Sequence, residues 1–458
     1  MDIIAQNNHY DKSFSNKILR FMKQYNVSEI LRSSNAYKLK GFSVITIFIS
    51  IFSAVFHQRS MYFLMRKDSS HIDFAKDTFY RFMNSYCINW RRFMILLSKN
   101  VIIKTLERLT DKKRRNVLII DDTVFDRNRS KTVELLAKIY DHANAKFLKG
   151  FRLLTILWSD GNTSIPVNFC LLSTRNKSCR LNEASQKIDH RTNGWKQREL
   201  AVTKAPSVVL HLLKEIKNAG ISASHVLFDT WFCCPKALIN IKKIGFDVVA
   251  MTKKDEKNCF LYNGNKKSVL SIYREEKKRP GKSKYLLSVK AIAQKGKEEI
   301  PVRLLYVRSR NKRGEYLILI TTDMSLLEEE IIQMYGKRWN IEVFFKMCKS
   351  YLKLSKECRS VSYDGMTAHA AIVFTRYIFL AVEHRENIDQ RSLGELFYVT
   401  IDELEDLRYM DALRIILSLL IDQVKELALF DEKKLSALLD KFIDELPILW
   451  SGCLKQCA

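Results

Sequence analysis

Proline and glycine are scarce in this chain: its 458 residues include 6 Pro and 14 Gly. With 47% hydrophobic residues, that scarcity excludes a collagen-like chain and a mostly disordered one. The 10 cysteines lack any arrangement. There is no CxxC pair and no Cys/His ladder; Cys233 and Cys234 are adjacent, and Cys453 and Cys457 lie near the end. In a chain this long they are expected to be reduced thiols, outside any disulfide framework or zinc site. Long apolar runs are missing too. The longest, Phe42 to Phe56, carries Ser43, Thr46, Ser50 and Ser53 and runs into His57 and Arg59. A spanning helix needs about 20 apolar residues, so a buried core helix is expected, and no membrane. The start, MDIIAQNNHYDKSF, has acids and polars where a signal peptide needs a basic and then an apolar stretch. The expected setting is the cytoplasm.

Acids are outnumbered, 50 Asp+Glu against 77 Lys+Arg, a net charge of +27. Such an excess calls for a polyanionic partner, and without a membrane segment that partner is nucleic acid. The charge is uneven. Residues 1–110 carry 17 basic and 7 acidic side chains, residues 261–320 carry 16 and 5, and residues 401–450 reverse to 6 and 12. Two basic modules and an acidic tail do not share one partner.

Residues 1–110 show helical periodicity. FAKDTFYRFMN (74–84) followed by INWRRFM (88–94) fits either a helix-turn-helix or a plain helical bundle. From 117 the texture changes. VLIIDDT (117–123), FRLLTILW (151–158), IPVNFCLL (165–172), HVLFDT (225–230) and FDVVAMT (246–252) read as strands, the second and third joined by the turn Ser159-Asp160-Gly161-Asn162. Helices are expected over 198–219 and 235–245. Within 256–322, YLLSVKAIAQ, EIPVRLLYVRS and EYLILITT alternate at period two between Gly/Lys-rich turns, which predicts an inserted antiparallel β-subdomain. Helical periodicity returns at Ser325 and persists to the end.

Carboxylates stand at two strand ends, Asp121/Asp122 and Asp229. Strand ends of open α/β sheets are where active sites collect, although a single such Asp is more often a turn or cap residue. A third element joins them. In EEEIIQMYGKRWNIEVFFKMCKSYLKL (328–354), a helix at about 100° per residue places Tyr335, Arg338, Glu342, Lys346 and Lys349 within a band of roughly 80°. A solvated charged face is the plain reading. A carboxylate inside a cationic stripe also suits holding a divalent metal while the cations grip phosphates.

The spacing Tyr335-x2-Arg338-x3-Glu342-x6-Lys349 resembles the Y-R-E-K motif of bacterial DDE transposases of the insertion sequence 4 family. IDDT (120–123) is similar to that family's first-aspartate motif and LFDTWF (227–232) to its second-aspartate segment. The likeness spans roughly residues 75–380, including INWRRF and CRSVSYDGMTAH (358–369). It implies an α/β chain with an RNase H-like catalytic core, an inserted antiparallel β-subdomain, and helical N- and C-terminal regions. The expected divisions are a helical DNA-binding region at 1–110, core at 111–255, insertion at 256–322, core with the glutamate helix at 323–385, and a helical region at 386–458.

The resemblance further implies that Asp121, Asp229 and Glu342 are catalytic and hold two Mg²⁺ ions, with Mn²⁺ able to substitute. The family's Asp-x-Thr pattern selects Asp121 with Thr123. Asp122 stays a second candidate, because strand neighbours point to opposite faces. Tyr335, Arg338, Lys346 and Lys349 are then DNA-binding. The implied activity is cleavage at inverted-repeat ends and strand transfer into target DNA, that is, cut-and-paste transposition by a homodimer on double-stranded DNA. The alternatives are an RNase H-like nuclease or resolvase without strand transfer, or an inactive DNA-binding descendant.

Family members place a Trp in the β insertion beside a flipped base. All six Trp here lie outside 256–322, leaving Tyr262, Tyr273, Tyr285 and Tyr306 as stand-ins and the hairpin step open. Trp231 and Trp339 are expected to pack around the catalytic strands and helix. His142 is expected to be structural, and Arg127 and Lys131 are phosphate contacts or solvated cations. The acidic helices after 398 suit self-association or cover for the basic surface.

Overall fold

The computed structural model describes residues 11–56, 74–111, 113–141, 144–280, 283–309, 314–356 and 358–386. His142, Cys453, Cys457 and the acidic helices after 398 fall outside these residues. The helices α1 (Asp11–Gln24), α2 (Val27–Ser33), α3 (Val44–Ser53), α4 (Lys76–Met83) and α5 (Trp90–Val101) come first. Strands β1 (Val117–Asp126), β2 (Ala137–Asp141), β3 (Lys146–Ser159) and β4 (Ser164–Leu172) follow, then α6 (Asn193–Ala201) and α7 (Ala205–Asn218). Next are β5 (His225–Phe228), α8 (Pro235–Ile244) and β6 (Asp247–Met251). The chain continues through β7 (Cys259–Tyr262), β8 (Asn265–Ser268), α9 (Val269–Glu275), β9 (Tyr285–Lys295), β10 (Glu298–Arg308) and β11 (Tyr316–Thr321). Three helices close it: α10 (Glu328–Gly336), α11 (Asn340–Ser350) and α12 (Tyr363–Glu386).

All eleven strands join one sheet, ordered β2-β3-β1-β5-β6-β11-β10-β9-β7-β8, with β4 also on β3. β1 and β3, and β3 and β4, are antiparallel; β1, β5 and β6 are parallel. This is the RNase H-like core: an antiparallel meander followed by two parallel strands reached through helical crossovers. Parallel strands buried on both faces read as continuous apolar runs, which is why VLII and HVLF were conspicuous; both are fully buried. The Asp160 turn forms as expected. Its carboxylate accepts the amides of Asn162 (2.8 Å) and Thr163 (2.7 Å), and Gly161 takes the left-handed φ of 98° that the turn requires. Gly245 does the same at the end of α8, with φ 95°.

The region expected as an inserted subdomain continues the central sheet. β11 pairs antiparallel with β6, Ile320 opposite Ala250, so 259–321 extends the sheet sideways. The N-terminal helices likewise share the main core. α12 is buried along nearly its whole length; Phe379 meets Phe21, Phe52 and Phe56 edge-on, and Phe374 meets Phe169 of β4. Arg376 closes the end of α3, donating to the carbonyls of Ile51 (2.6 Å) and Phe52 (2.9 Å). By length and composition α12 could cross a membrane, yet it is wholly enclosed by protein.

α4 and α5 are both present. One side of α5 is sunk against the sheet: Trp90, Phe93, Met94, Leu97 and Val101 are buried, and Ser98 Oγ donates to the Pro166 carbonyl of β4 at 2.6 Å. Arg92 is exposed and Leu96, Lys99 and Asn100 are partly so, which leaves the helix one solvent-facing stripe. All eight cysteines among the described residues are free thiols.

The segment before α12 is a tight junction. A Cβ on Gly365 would run into Ser360 Oγ and Asn84 Oδ1. Neither can retreat, because Asn84 Oδ1 accepts hydrogen bonds from Ser360 (2.8 Å) and Ser362 (2.7 Å). Gly365→Ala is therefore expected to cost about 1–3 kcal/mol, read as a lower urea midpoint with an unchanged slope.

Candidate active site

Alternation along β1 sends Asp121 and Asp122 to opposite faces of the sheet. Asp122 is neutralised where it lies. Arg152, across on β3, holds both its oxygens, with Nη2 at 2.7 Å from Oδ1 and Nε on Oδ2. Asp121 faces α11 instead. Its Oδ1 accepts the Asp122 amide at 2.8 Å, and its Oδ2 lies 3.5 Å from Arg338 Nη1. Burial pushes its pKa from 3.8 up to about 7, and the charges of Asp229 and Asp122 push the same way against Arg338. The structure thus separates the two candidates that the sequence leaves together: one carboxylate is satisfied, and the other is crowded and short of cations.

Asp229 reaches this spot through sheet register. β1 and β5 run parallel with Ile119 opposite Leu227, so two residues further on each chain brings Asp121 level with Asp229. Asp229 follows the end of β5, whereas Asp121 lies midway along β1 and not at its end as expected, because pairing with β3 carries β1 on to Asp126. Asp229 is half-buried, and its Oδ1 accepts the Trp231 amide at 2.9 Å, an Asx turn that steers the chain away from the sheet.

The third carboxylate arrives on the helix. The expected single helix over 328–354 is two, α10 and α11, joined by a tight 3₁₀ turn at Lys337–Trp339. The junction is anchored by Lys337 Nζ on the Arg115 carbonyl (3.0 Å) and Asn340 Nδ2 on Ser164 Oγ (3.0 Å). Arg338 and Glu342 still fall one turn apart, and Nη2 of Arg338 donates to Oε1 of Glu342 at 2.6 Å. One guanidinium therefore spans Asp121 and Glu342. Its two nitrogens are about 2.3 Å apart, which keeps the carboxylates within roughly 8.5 Å of each other.

The remaining band residues sort by depth. Lys349, at the far end of α11, donates to Thr123 Oγ1 at 2.6 Å and is partly desolvated, which lowers its pKa. The Tyr335 hydroxyl is buried with no hydrogen-bond partner among the described residues, and its pKa is pushed up to about 12 by burial, with the Arg338 charge pulling down and that of Asp229 pushing up. Lys346 is exposed. Ile341, Phe344, Phe345 and Met347 fill the opposite face, with Phe344 against Phe374 and Tyr377 of α12.

Among the described residues, no three His, Cys, Asp or Glu side chains stand close enough together to hold a metal as they are. The guanidinium occupies the space between two of them. The donor set nevertheless suits a hard divalent cation, being all carboxylate oxygen without thiol or imidazole. A positive group already bridges Asp121 and Glu342, so the gap favours cationic charge.

Two expectations are corrected. Trp231 and Trp339 do not pack inside; they are 50% and 61% exposed, at the rim of the site. Trp231 lies between Arg152 (5.3 Å to the ring) and Lys253 (5.5 Å). Each Trp sits in a turn, after Asp229 and at the 3₁₀ junction, where the chain bends away from the core. Of the insertion tyrosines, Tyr306 is buried with its hydroxyl on the Val269 carbonyl (2.7 Å), and Tyr285 is buried beneath Arg279. Tyr262 bonds Glu276, and Tyr273 is stacked on Tyr316 with centroids 4.1 Å apart. Arg127 is a buried tie whose Nη2 donates to the Ser360 carbonyl at 2.6 Å. Sequence reasoning missed Arg152, the group that disarms Asp122; only the β1–β3 register reveals it.

Residues 49–300 match the family model of the DDE superfamily endonucleases, more than half of the chain. The match contains both strand-borne aspartates and ends before Glu342. No curated protein sequence matches. Among solved structures, a Drosophila P element transposase strand transfer complex aligns at 11% identity with a TM-score of 0.22; the alignment covers 57% of this chain and 55% of that one.

Proposed function

The chain belongs to the DDE superfamily of endonucleases, and on that premise we propose that it is a DNA transposase of the insertion sequence 4 type. It cuts at inverted-repeat ends and joins the freed ends to target DNA, acting as a homodimer in the cytoplasm. The observation that carries this reading is the single guanidinium shared by Asp121 and Glu342 beside Asp229. It supports a site lined by acids from three separate elements, with Arg338 bridging two of them.

Asp121, Asp229 and Glu342 are the residues that would hold Mg²⁺ or Mn²⁺. Bound there, two such ions would activate the attacking oxygen and offset charge on the leaving one. Arg338, displaced from the carboxylates, is placed to grip a phosphate. Its planar fork suits that exchange of one oxyanion for another. Displacement of Arg338 would also uncover the buried Tyr335 hydroxyl beside it, which would then donate to a phosphate oxygen, and exposed Lys346 can neutralise the backbone. Lys349 acts differently. Bound to Thr123, it aligns α11 with β1 and so sets Glu342 relative to Asp121.

The test is a duplex carrying one element end, incubated with the full chain and Mg²⁺ or Mn²⁺ beside a target plasmid. Expected are nicks at the end followed by joined products, with none in excess chelator. Nicks without joining would favour the alternative, a nuclease without strand transfer. No nicks with any end and either metal would sink both.

A further inference from the structure

Past the end of β1 the sheet narrows to β2 and β3. β1 stops at Asp126, opposite Gly150; Arg127 N still donates to the Lys149 carbonyl (2.9 Å) and Lys138 N to the Cys179 carbonyl (2.8 Å), so residues 139–141 and 146–148 are what runs on as a ribbon of two strands. One face of this ribbon is unusual for a solvent-facing surface. Lys138 stands directly opposite Lys149, and Tyr140 directly opposite Phe147. The two rings meet edge-on at 5.1 Å, with Tyr140 37% and Phe147 65% exposed. Like charges directly opposed destabilise a strand pair, and a large ring left in water forgoes its burial. The other face is ordinary, with Ala137, Ile139 and Asp141 buried.

Its position is informative. Asp121 pairs with Thr155, and the β1–β3 register runs unbroken from there to Gly150. Strict alternation then puts Lys149 and Phe147 on the same sheet face as Asp121. Phe147 lies eight residues along β3 from Thr155, roughly 26 Å at about 3.3 Å per residue. That is the length of about eight base pairs of duplex.

We propose that this ribbon face is a second grip on duplex DNA, about eight base pairs from the scissile phosphate. The inference rests on the carboxylate site being the one that cuts DNA. A two-stranded ribbon fits a DNA groove, paired lysines neutralise phosphates on either side of it, and an apolar ring pair supplies a wedge against base steps. Charge complementarity argues for this occupant: the row presents two opposed lysines and no acid, on a chain of net charge +27, while cover by the acid-rich residues 401–450 of this chain or of a second copy is an outcome the experiment distinguishes.

The experiment uses two end-bearing duplexes, one stopping about 5 and one about 15 base pairs from the cleavage point, with binding read by fluorescence anisotropy. The unmodified chain is expected to bind the longer duplex about tenfold more tightly. Tyr140→Ser/Phe147→Ser removes that gain while leaving affinity for the shorter duplex in place. Lys138→Ser/Lys149→Ser lowers the slope of log affinity against log salt by about 2 on the longer duplex only. Because all four side chains are exposed, unchanged melting curves check that the variants fold. Variants that keep the full gain and slope overturn the proposal. Variants that keep them but lose self-association in sedimentation overturn it in favour of a protein interface. If the unmodified chain binds and cuts neither duplex, the reading of the carboxylate site has failed first.

Discussion

Asp121→Asn is expected to reduce cleavage by about 10³-fold or more and, at the same time, to raise the melting temperature above pH 7. The two effects have one cause. Burial holds Asp121 at a pKa of about 7 against 3.8 for the free group, so the folded chain keeps this proton at pH values where the unfolded chain has lost it. Stability from this group is therefore full below about pH 4, declines as pH rises toward 7, and stays diminished above it. Asn removes the charge and with it the decline. Asp121 is 20% exposed, so solvent relieves part of the cost, and about 1–2 kcal/mol is the expected gain at pH 8. Differential scanning calorimetry of both chains at pH 4 and pH 8 reads it: melting points converge at pH 4 and separate at pH 8. A divalent cation should raise the unmodified chain more than the variant, because binding consumes the repulsion. Glu342→Gln is the companion, expected to stop cleavage while end binding stays within a few-fold. An Asp121→Asn chain that still cuts, or equal loss of cleavage and binding on Glu342→Gln, would remove the catalytic assignment.

That two-sided expectation could be framed only in part from the sequence. The strands bearing Asp121 and Asp229 were legible because buried parallel strands read as apolar runs ending in acids, and the Glu342 helix because its charged band keeps helical period. The choice between Asp121 and Asp122 was not legible in the residues themselves. Neighbours on a strand differ by one register step, and the group that pairs with Asp122, Arg152, is thirty positions away on β3. The 3₁₀ turn at Lys337–Trp339 was invisible because its residues have ordinary helical propensity; tertiary anchors at Arg115 and Ser164 tighten it. α12 falls within the helical stretch expected from Ser325 onward, but its role as the central buried helix is not legible: a helix enclosed on nearly all sides has no polar face and so no amphipathic period to mark which side packs. In α4 and α5 the sequence shows the helices but not which side of α5 lies on β4; that side is buried while Arg92 stays exposed.

Arg198→Met is expected to lower folding stability by about 3–5 kcal/mol, the largest loss anticipated for a residue that does not touch the carboxylate site. Arg198 is 4% exposed, and its guanidinium is shared by two acids: Glu134, at 2.7 Å to each oxygen, and Asp364, at 2.7 Å. A fourth bond reaches the Gly194 carbonyl at 2.9 Å, and the group lies 5.6 Å from the Tyr363 ring. These partners belong to the β1–β2 connection, α6 and the first turn of α12, so one cation ties three segments. Removing it leaves two buried carboxylates facing each other. Each then holds its proton more tightly in the folded chain than in the unfolded one, and the variant's stability should fall as pH rises through the carboxylate range. In the unmodified chain the effects oppose: hydrogen bonds from Arg198 and backbone amides win over burial to hold Glu134 below its usual pKa, while burial wins at Asp364 and raises it. Urea unfolding at pH 5 and pH 8 measures the difference. Adding Glu134→Gln to Arg198→Met should recover part of the loss, because the second change removes one stranded charge; the cycle gives the coupling. A loss under about 1 kcal/mol, or one independent of pH, would contradict this account. The consequence reaches Glu342 through α12. α12 presents Phe374 and Tyr377 to Phe344 of α11, and Glu342 stands two residues from Phe344. A loosened α12 therefore shifts the helix that brings the third carboxylate to Asp121.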